Sequence, residues 1–135
     1  MSDYAPAAEV AATRNGLERL KDFKTRRDSS SDANWRNGNG DARPIAPGAT
    51  LTVAELEGPG KIVHIWCTVS QRAAFYSSQL VLRIYWDDEK HPSVECPLGD
   101  FFGIGHGLRR NFVSGPLAMS PEDGRGFNCF FPMPL

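Results

Sequence analysis

The sequence predicts a mainly β fold: an incomplete jelly-roll β-sandwich preceded by one amino-terminal helix. Three observations lead there. From Leu51 onward, apolar residues recur with a period of two, the pattern of half-buried strands. Gly and Pro turns interrupt these runs at short intervals, as in sandwiches and jelly rolls. Helical spacing appears only in residues 9–23, where Val10, Leu17, Leu20 and Phe23 fall near one face. Arg14, Arg19, Lys21 and Lys24 keep the opposite side solvated, and Gly16 weakens the middle.

Residues 26–47 have a different character. Ser, Asp, Asn and Gly dominate; their side chains bond to nearby backbone and they tolerate left-handed conformations. A long polar loop is expected. Trp35 within it favours a functional loop over a plain linker, since binding residues concentrate in loops. The expected organisation is therefore a helical lead-in (1–25), a Ser/Asn/Gly-rich loop (26–50) and a jelly-roll part (51–135).

Within that last part, residues 51–57 lead through the Gly58-Pro59-Gly60 turn into a strand over 61–69. Val63, Ile65, Cys67 and Val69 share one face of it; Ile62, His64, Trp66 and Thr68 share the other. Residues 79–86 set Leu80, Leu82, Ile84 and Trp86 opposite Gln79, Arg83 and Tyr85. A turn at 87–92 leads to a returning strand at 93–97. Phe112-Val113 and residues 127–131 complete the set, with Phe127, Cys129, Phe131 and Met133 expected on one face. Roughly six strands fall short of the eight in a closed jelly roll. The last run is apolar, so it is expected to leave an open edge and to mark a chain cut short.

Composition excludes several classes. The 135 residues suit one ordinary domain. With 15 basic and 16 acidic residues there is no excess charge to draw nucleic acid or anionic lipid. No apolar run approaches the roughly 20 residues a bilayer-spanning helix needs. Residues 1–14 lack the charged-then-apolar order of a secretory signal, so a cytoplasmic location is expected. The 3 cysteines, Cys67, Cys96 and Cys129, are scattered and read as free thiols rather than disulfide or zinc ligands.

Generic catalytic signatures are missing. Gly103-Ile104-Gly105-His106-Gly107 misplaces the third glycine of a dinucleotide fingerprint. His64, His91 and His106 lack metal-ligand spacing, and no metal or other cofactor is expected. Ser29-Ser30-Ser31 has no nucleophile-elbow pattern. Asp87-Asp88-Glu89 reads as a solvated hairpin tip. Residues 100–107 leave two readings open. Phe101 and Phe102 could form a platform for a sugar face, with Asp100 and His106 binding hydroxyls. Equally, they could be a core aromatic pair beside a Gly-rich turn.

Six motifs in order carry a family resemblance. They are Ser29-Ser30-Ser31, Gly38-Asn39-Gly40-Asp41, Gly58-Pro59-Gly60-Lys61-Ile62 with Ile65-Trp66, Leu82-Arg83-Ile84-Tyr85-Trp86-Asp87, Pro97-Leu98-Gly99-Asp100-Phe101-Phe102-Gly103, and Phe127-Asn128-Cys129-Phe130-Phe131-Pro132-Met133-Pro134. Over about residues 24–135 the chain resembles the start of glycoside hydrolase family 172. The resemblance implies a jelly-roll core and cleavage or rearrangement of α-D-fructofuranosides or D-arabinofuranosides. It implies oligomers with sites near subunit contacts, and a retaining mechanism with two glutamates, whose carboxyls must stand roughly 5 Å apart. Family members are longer, and those glutamates lie beyond the matched region.

No catalytic residue is therefore assigned, and Glu55, Glu57, Glu89, Glu95 and Glu122 are not obvious substitutes. The candidates for hydroxyl binding or support are Asp41, Asp100, His106 and Asn128, each with a plain alternative as turn cap or satisfied buried polar group. The expected function is the amino-terminal part of a retaining furanoside hydrolase lacking its catalytic pair. The alternative is a non-catalytic β-sandwich module for carbohydrate binding or assembly. The expected partners are a carbohydrate and further copies of the chain, with no nucleic acid and no membrane.

Overall fold

The computed structural model describes residues 20–31, 34, 36 and 40–135. The chain divides into two compact units, residues 1–55 and 56–135.

In the first unit, the described part of the polar loop is irregular and held by the local bonds its composition implies. Ser29 N–H donates to Asp28 Oδ1 at 2.8 Å, and Ser31 N–H donates to Ser29 Oγ at 3.2 Å. The other Asp28 oxygen accepts the Glu55 N–H at 3.2 Å, tying the two ends of the segment together. Residues 20–23 are not helical, and Leu20 and Phe23 are exposed. An amphipathic stripe makes a helix only where it finds a surface to pack on. The rest of the predicted helix lies outside the described residues.

The second unit is mainly β and all its strand pairs are antiparallel. In order it contains β1 (Lys61–Ile62), β2 (Ile65–Cys67), a first 3-10 turn (Tyr76–Ser78), β3 (Val81–Ile84), β4 (Val94–Pro97), α1 (Leu98–Phe101), a second 3-10 turn (Gly105–Gly107), β5 (Phe112–Ser114), β6 (Leu117–Met119), β7 (Phe127–Cys129) and β8 (Met133–Pro134). Three sheets form: β1-β8, β2-β7-β6-β5 and β3-β4. Among the described residues, no helix is long and apolar enough to cross a membrane.

The β3-β4 hairpin matches the sequence pattern. Leu82 and Ile84 are half-buried, while Val81, Arg83 and Tyr85 are exposed. Arg83 and Glu95 stand directly opposite and pair at 2.6 Å. Asp87 and Asp88 adopt positive φ at the hairpin tip, a conformation Asp tolerates better than most residues.

Four strand expectations need correction. Residues 51–57 form no strand; their apolar side chains, Val53 and Leu56 among them, remain exposed. Alternation alone supplies no partner for a ladder. The predicted strand over 61–69 breaks after Ile62, because β1 pairs with β8 while β2 pairs with β7. Between these two ladders residues 63–64 face 130–132, so the later segment carries one extra residue, the defining count of a bulge. Pro132, which has no N–H to donate, falls within it. Phe131 accordingly leaves the face shared by Phe127 and Cys129 and is exposed. Within its two-stranded sheet β8 pairs with β1 alone, where Gly60 and Leu135 exchange backbone hydrogen bonds of 2.8 and 3.1 Å, and no described strand pairs with its other edge. Finally, β6 and the short α1 are additions that the sequence pattern did not reveal.

The core lies on one face of the four-stranded sheet. Met119, Phe127 and Cys129 are fully buried there, flanked by Ile65, Cys67, Phe112 and Leu117. Phe102 and Ile104, on the chain following α1, pack into the same cluster together with Tyr76. The Phe102 ring lies 5.4 Å from that of Phe127 and meets Phe101 edge-on at 5.1 Å.

Candidate polar and aromatic face on the four-stranded sheet

The strand register that turns Phe127 and Cys129 inward turns Asn128 outward. One row across the outer face reads Trp66, Asn128, Ala118, Val113. Trp66 is 57% and Val113 79% exposed. A step along, His64 and Phe130 stack face to face, with ring centroids 4.4 Å apart and planes inclined by 5°. Phe130 is held at this position by its N–H, which donates to the Pro116 carbonyl at 2.7 Å.

Asn128 organises this face. Its Nδ2 donates to two backbone carbonyls, Ala118 O at 3.1 Å and Gly126 O at 3.3 Å. Both amide hydrogens are thereby used and the amide orientation is fixed. Its Oδ1 can only accept, and it lies 3.1 Å from His64 Nε2. In the neutral ring the proton must therefore sit on Nε2, which leaves Nδ1 as a hydrogen-bond acceptor on an exposed side chain. The result is an acceptor for a hydroxyl proton beside two exposed aromatic surfaces. That combination suits a ligand with apolar C–H faces and hydroxyl groups.

The four residues singled out from sequence are not brought together. Asn128 alone belongs to this face. Asp100 is exposed within α1, and His106 is exposed in the second 3-10 turn, where its φ is 56°. Asp41 is exposed in the first unit. No hydrogen bond joins any two of the four among the described residues. The Phe101-Phe102 pair is core packing rather than a sugar platform, with Phe102 only 1% exposed. The aromatic partners of Asn128 are instead His64, Trp66 and Phe130.

Burial pushes the Cys67 thiol up from its usual 9.0 to about 11, so it stays protonated at neutral pH. Burial, and then the charge of Asp100, also raise that of Cys96. All three cysteines are free. Among the described residues, no group of three His, Cys, Asp or Glu side chains is arranged to hold a metal ion.

Antiparallel sheets with a packed inner face and an aromatic, hydrogen-bonding outer face define a mainly β protein. The matching family model is described as GH172 domain-like and spans residues 39–135, well over half of the chain. The chain belongs to this family, glycoside hydrolase family 172, in agreement with the resemblance carried by its motifs. No curated protein matches it.

Proposed function

We propose that this chain supplies a sugar-facing sheet surface in a retaining hydrolase of furanosides, fructofuranosides or arabinofuranosides, and has no glycosidase activity by itself. The observation that carries the reading is the Asn128–His64–Phe130 arrangement beside the exposed Trp66. A furanose ring laid on these aromatics would donate a hydroxyl proton to His64 Nδ1.

The glutamates support the second half of the proposal. Glu95 pairs with Arg83 at 2.6 Å, Glu122 with Arg125 at 3.1 Å, and Glu89 accepts the Ser93 hydroxyl. Glu55 and Glu57 lie exposed in the segment that forms no strand. None of these five stands on the strand rows of the polar and aromatic face. A retaining mechanism needs two carboxyls roughly 5 Å apart across the scissile bond, and the proposal assigns them to other parts of the enzyme.

Saturation-transfer NMR with methyl arabinofuranoside and methyl fructofuranoside tests the surface. Trp66→Ala removes an exposed ring, so the protein should fold normally yet bind about tenfold more weakly, the equivalent of one aromatic stacking contact. Equal binding by the variant would remove the platform. Turnover of either glycoside by the purified chain would overturn the claim of inactivity.

A second reading uses the same face differently. Val113, on the Asn128 row, offers a sugar no hydrogen bond and is the most exposed side chain of that row. Such a residue suits an apolar contact with another copy of the chain, making this a non-catalytic assembly module.

A further inference from the structure

A concave site lies away from the strand rows of that face. Residues 71–76 and 107–110 form the walls of a cleft of about 450 Å³, within the size range of small-molecule sites. Three arginines line it: Arg72, Arg109 and Arg110. The chain as a whole has a formal net charge of -1, so a general basic surplus does not explain this cluster. Among the described residues, the ion pairs engage Arg83 and Arg125 and none of these three. Asp123 is the one acidic residue of the lining and forms no ion pair with them.

The walls are built in advance of any ligand. The Arg109 guanidinium lies over the Tyr76 ring, 5.7 Å from its centroid, and Tyr76 belongs to the buried core. Arg110 Nη1 donates to the Arg109 carbonyl at 3.1 Å. The Arg110 backbone is backed by Gly124, at φ 71°, where a Cβ would come within 2.6 Å of the Arg110 carbonyl. Gly107, at φ 68°, lets the second wall approach Phe75, whose ring would lie 3.0 Å from a Cβ there. Phe75 is itself held at φ 58°, an uncommon conformation for a bulky residue. Tyr76 Oη is buried and without a partner among the described groups.

Three like charges gathered in one cleft repel one another and focus a positive potential. A planar, delocalised guanidinium is the side chain best matched to a two-oxygen acceptor such as carboxylate or phosphate. We propose that this cleft binds an oxyanion, a carboxylate or a phosphate group carried on a small ligand. This is a site separate from the aromatic sheet face and does not depend on the furanoside reading.

The test titrates the full chain at low ionic strength with inorganic phosphate, with glucuronate, and with glucose as the uncharged control, following backbone and arginine side-chain NMR signals. Saturable shifts confined to residues 71–76 and 107–110 are expected for at least one anion and for neither glucose nor an equal ionic strength of chloride. A response to phosphate alone identifies a phosphorylated ligand; a response to glucuronate alone identifies an acidic sugar; either sustains the proposal. Arg109→Gln should weaken binding at least tenfold. Arg72→Gln changes only an exposed side chain, so it should leave the fold intact while also weakening binding. Arg83→Gln, on the β3-β4 hairpin, should have no effect. Absence of a saturable response, or an unchanged affinity in Arg72→Gln with its fold intact, overturns the proposal.

Discussion

Asn128 ties β7 to β6 and to His64 through one side chain. It stood out in the sequence as a polar group among aromatics, and its neighbours alternate as strand residues should. Alternation also put His64 and Trp66 on one face in the sequence. What the sequence lacks is the register pairing residue 66 with 128, and hence the bond from His64 to Asn128. Asp100 and His106 were less legible, because a Gly-rich stretch after two phenylalanines fits a turn beside the core as well as a binding loop. Cys67 belongs to this scale and yields a prediction. Its thiol is raised from 9.0 to about 11 by burial, so the folded state holds the proton more tightly than the unfolded one. The associated stability is fully present below pH 9 and is lost as the pH rises through 11. Urea midpoints measured from pH 8 upward should therefore fall more steeply for the wild-type protein than for Cys67→Ala. Parallel curves would show that burial does not hold the proton.

Elements were legible where a hairpin closes locally. The β3-β4 pair needs only its own alternation and a polar tip, and both are written in residues 79–97. The β1-β8 and β2-β7 pairs join segments more than 60 residues apart, where nothing local records where the extra residue of a bulge falls. That bulge decides the fate of two phenylalanines that the sequence assigned to one face. Phe127 lies on β7, between β2 and β6, and is fully buried; Phe131 is 47% exposed. Phe127→Ala should cost about 3–5 kcal/mol of stability in urea unfolding, the usual penalty for emptying a large core site. Phe131→Ala should stay within about 0.5 kcal/mol, as for other surface positions. Comparable losses for both would mean that strict alternation persists and the bulge does not exist.

At the scale of the whole molecule, length and charge balance were legible, and what covers the surface was not. In residues 56–135 the large apolar side chains left exposed include Val63, Trp66, Val113, Phe130 and Phe131. Trp66 and Val113 stand on one row of the four-stranded sheet, with Phe130 a step away beside Asn128. Isolated exposed apolar residues are ordinary, but neighbours on one sheet face make a patch of the kind that mediates association. The assembly reading predicts that light scattering gives a mass above the 14.9 kDa of one chain at high protein concentration. Val113→Asp places a charge on this patch without touching the core, because Val113 is 79% exposed. It should return the protein to single chains while leaving far-UV circular dichroism unchanged. A wild-type protein that remains a single chain at every concentration would reject assembly through this face. An oligomer that persists in Val113→Asp would place the contact on another surface and leave the row free for sugar.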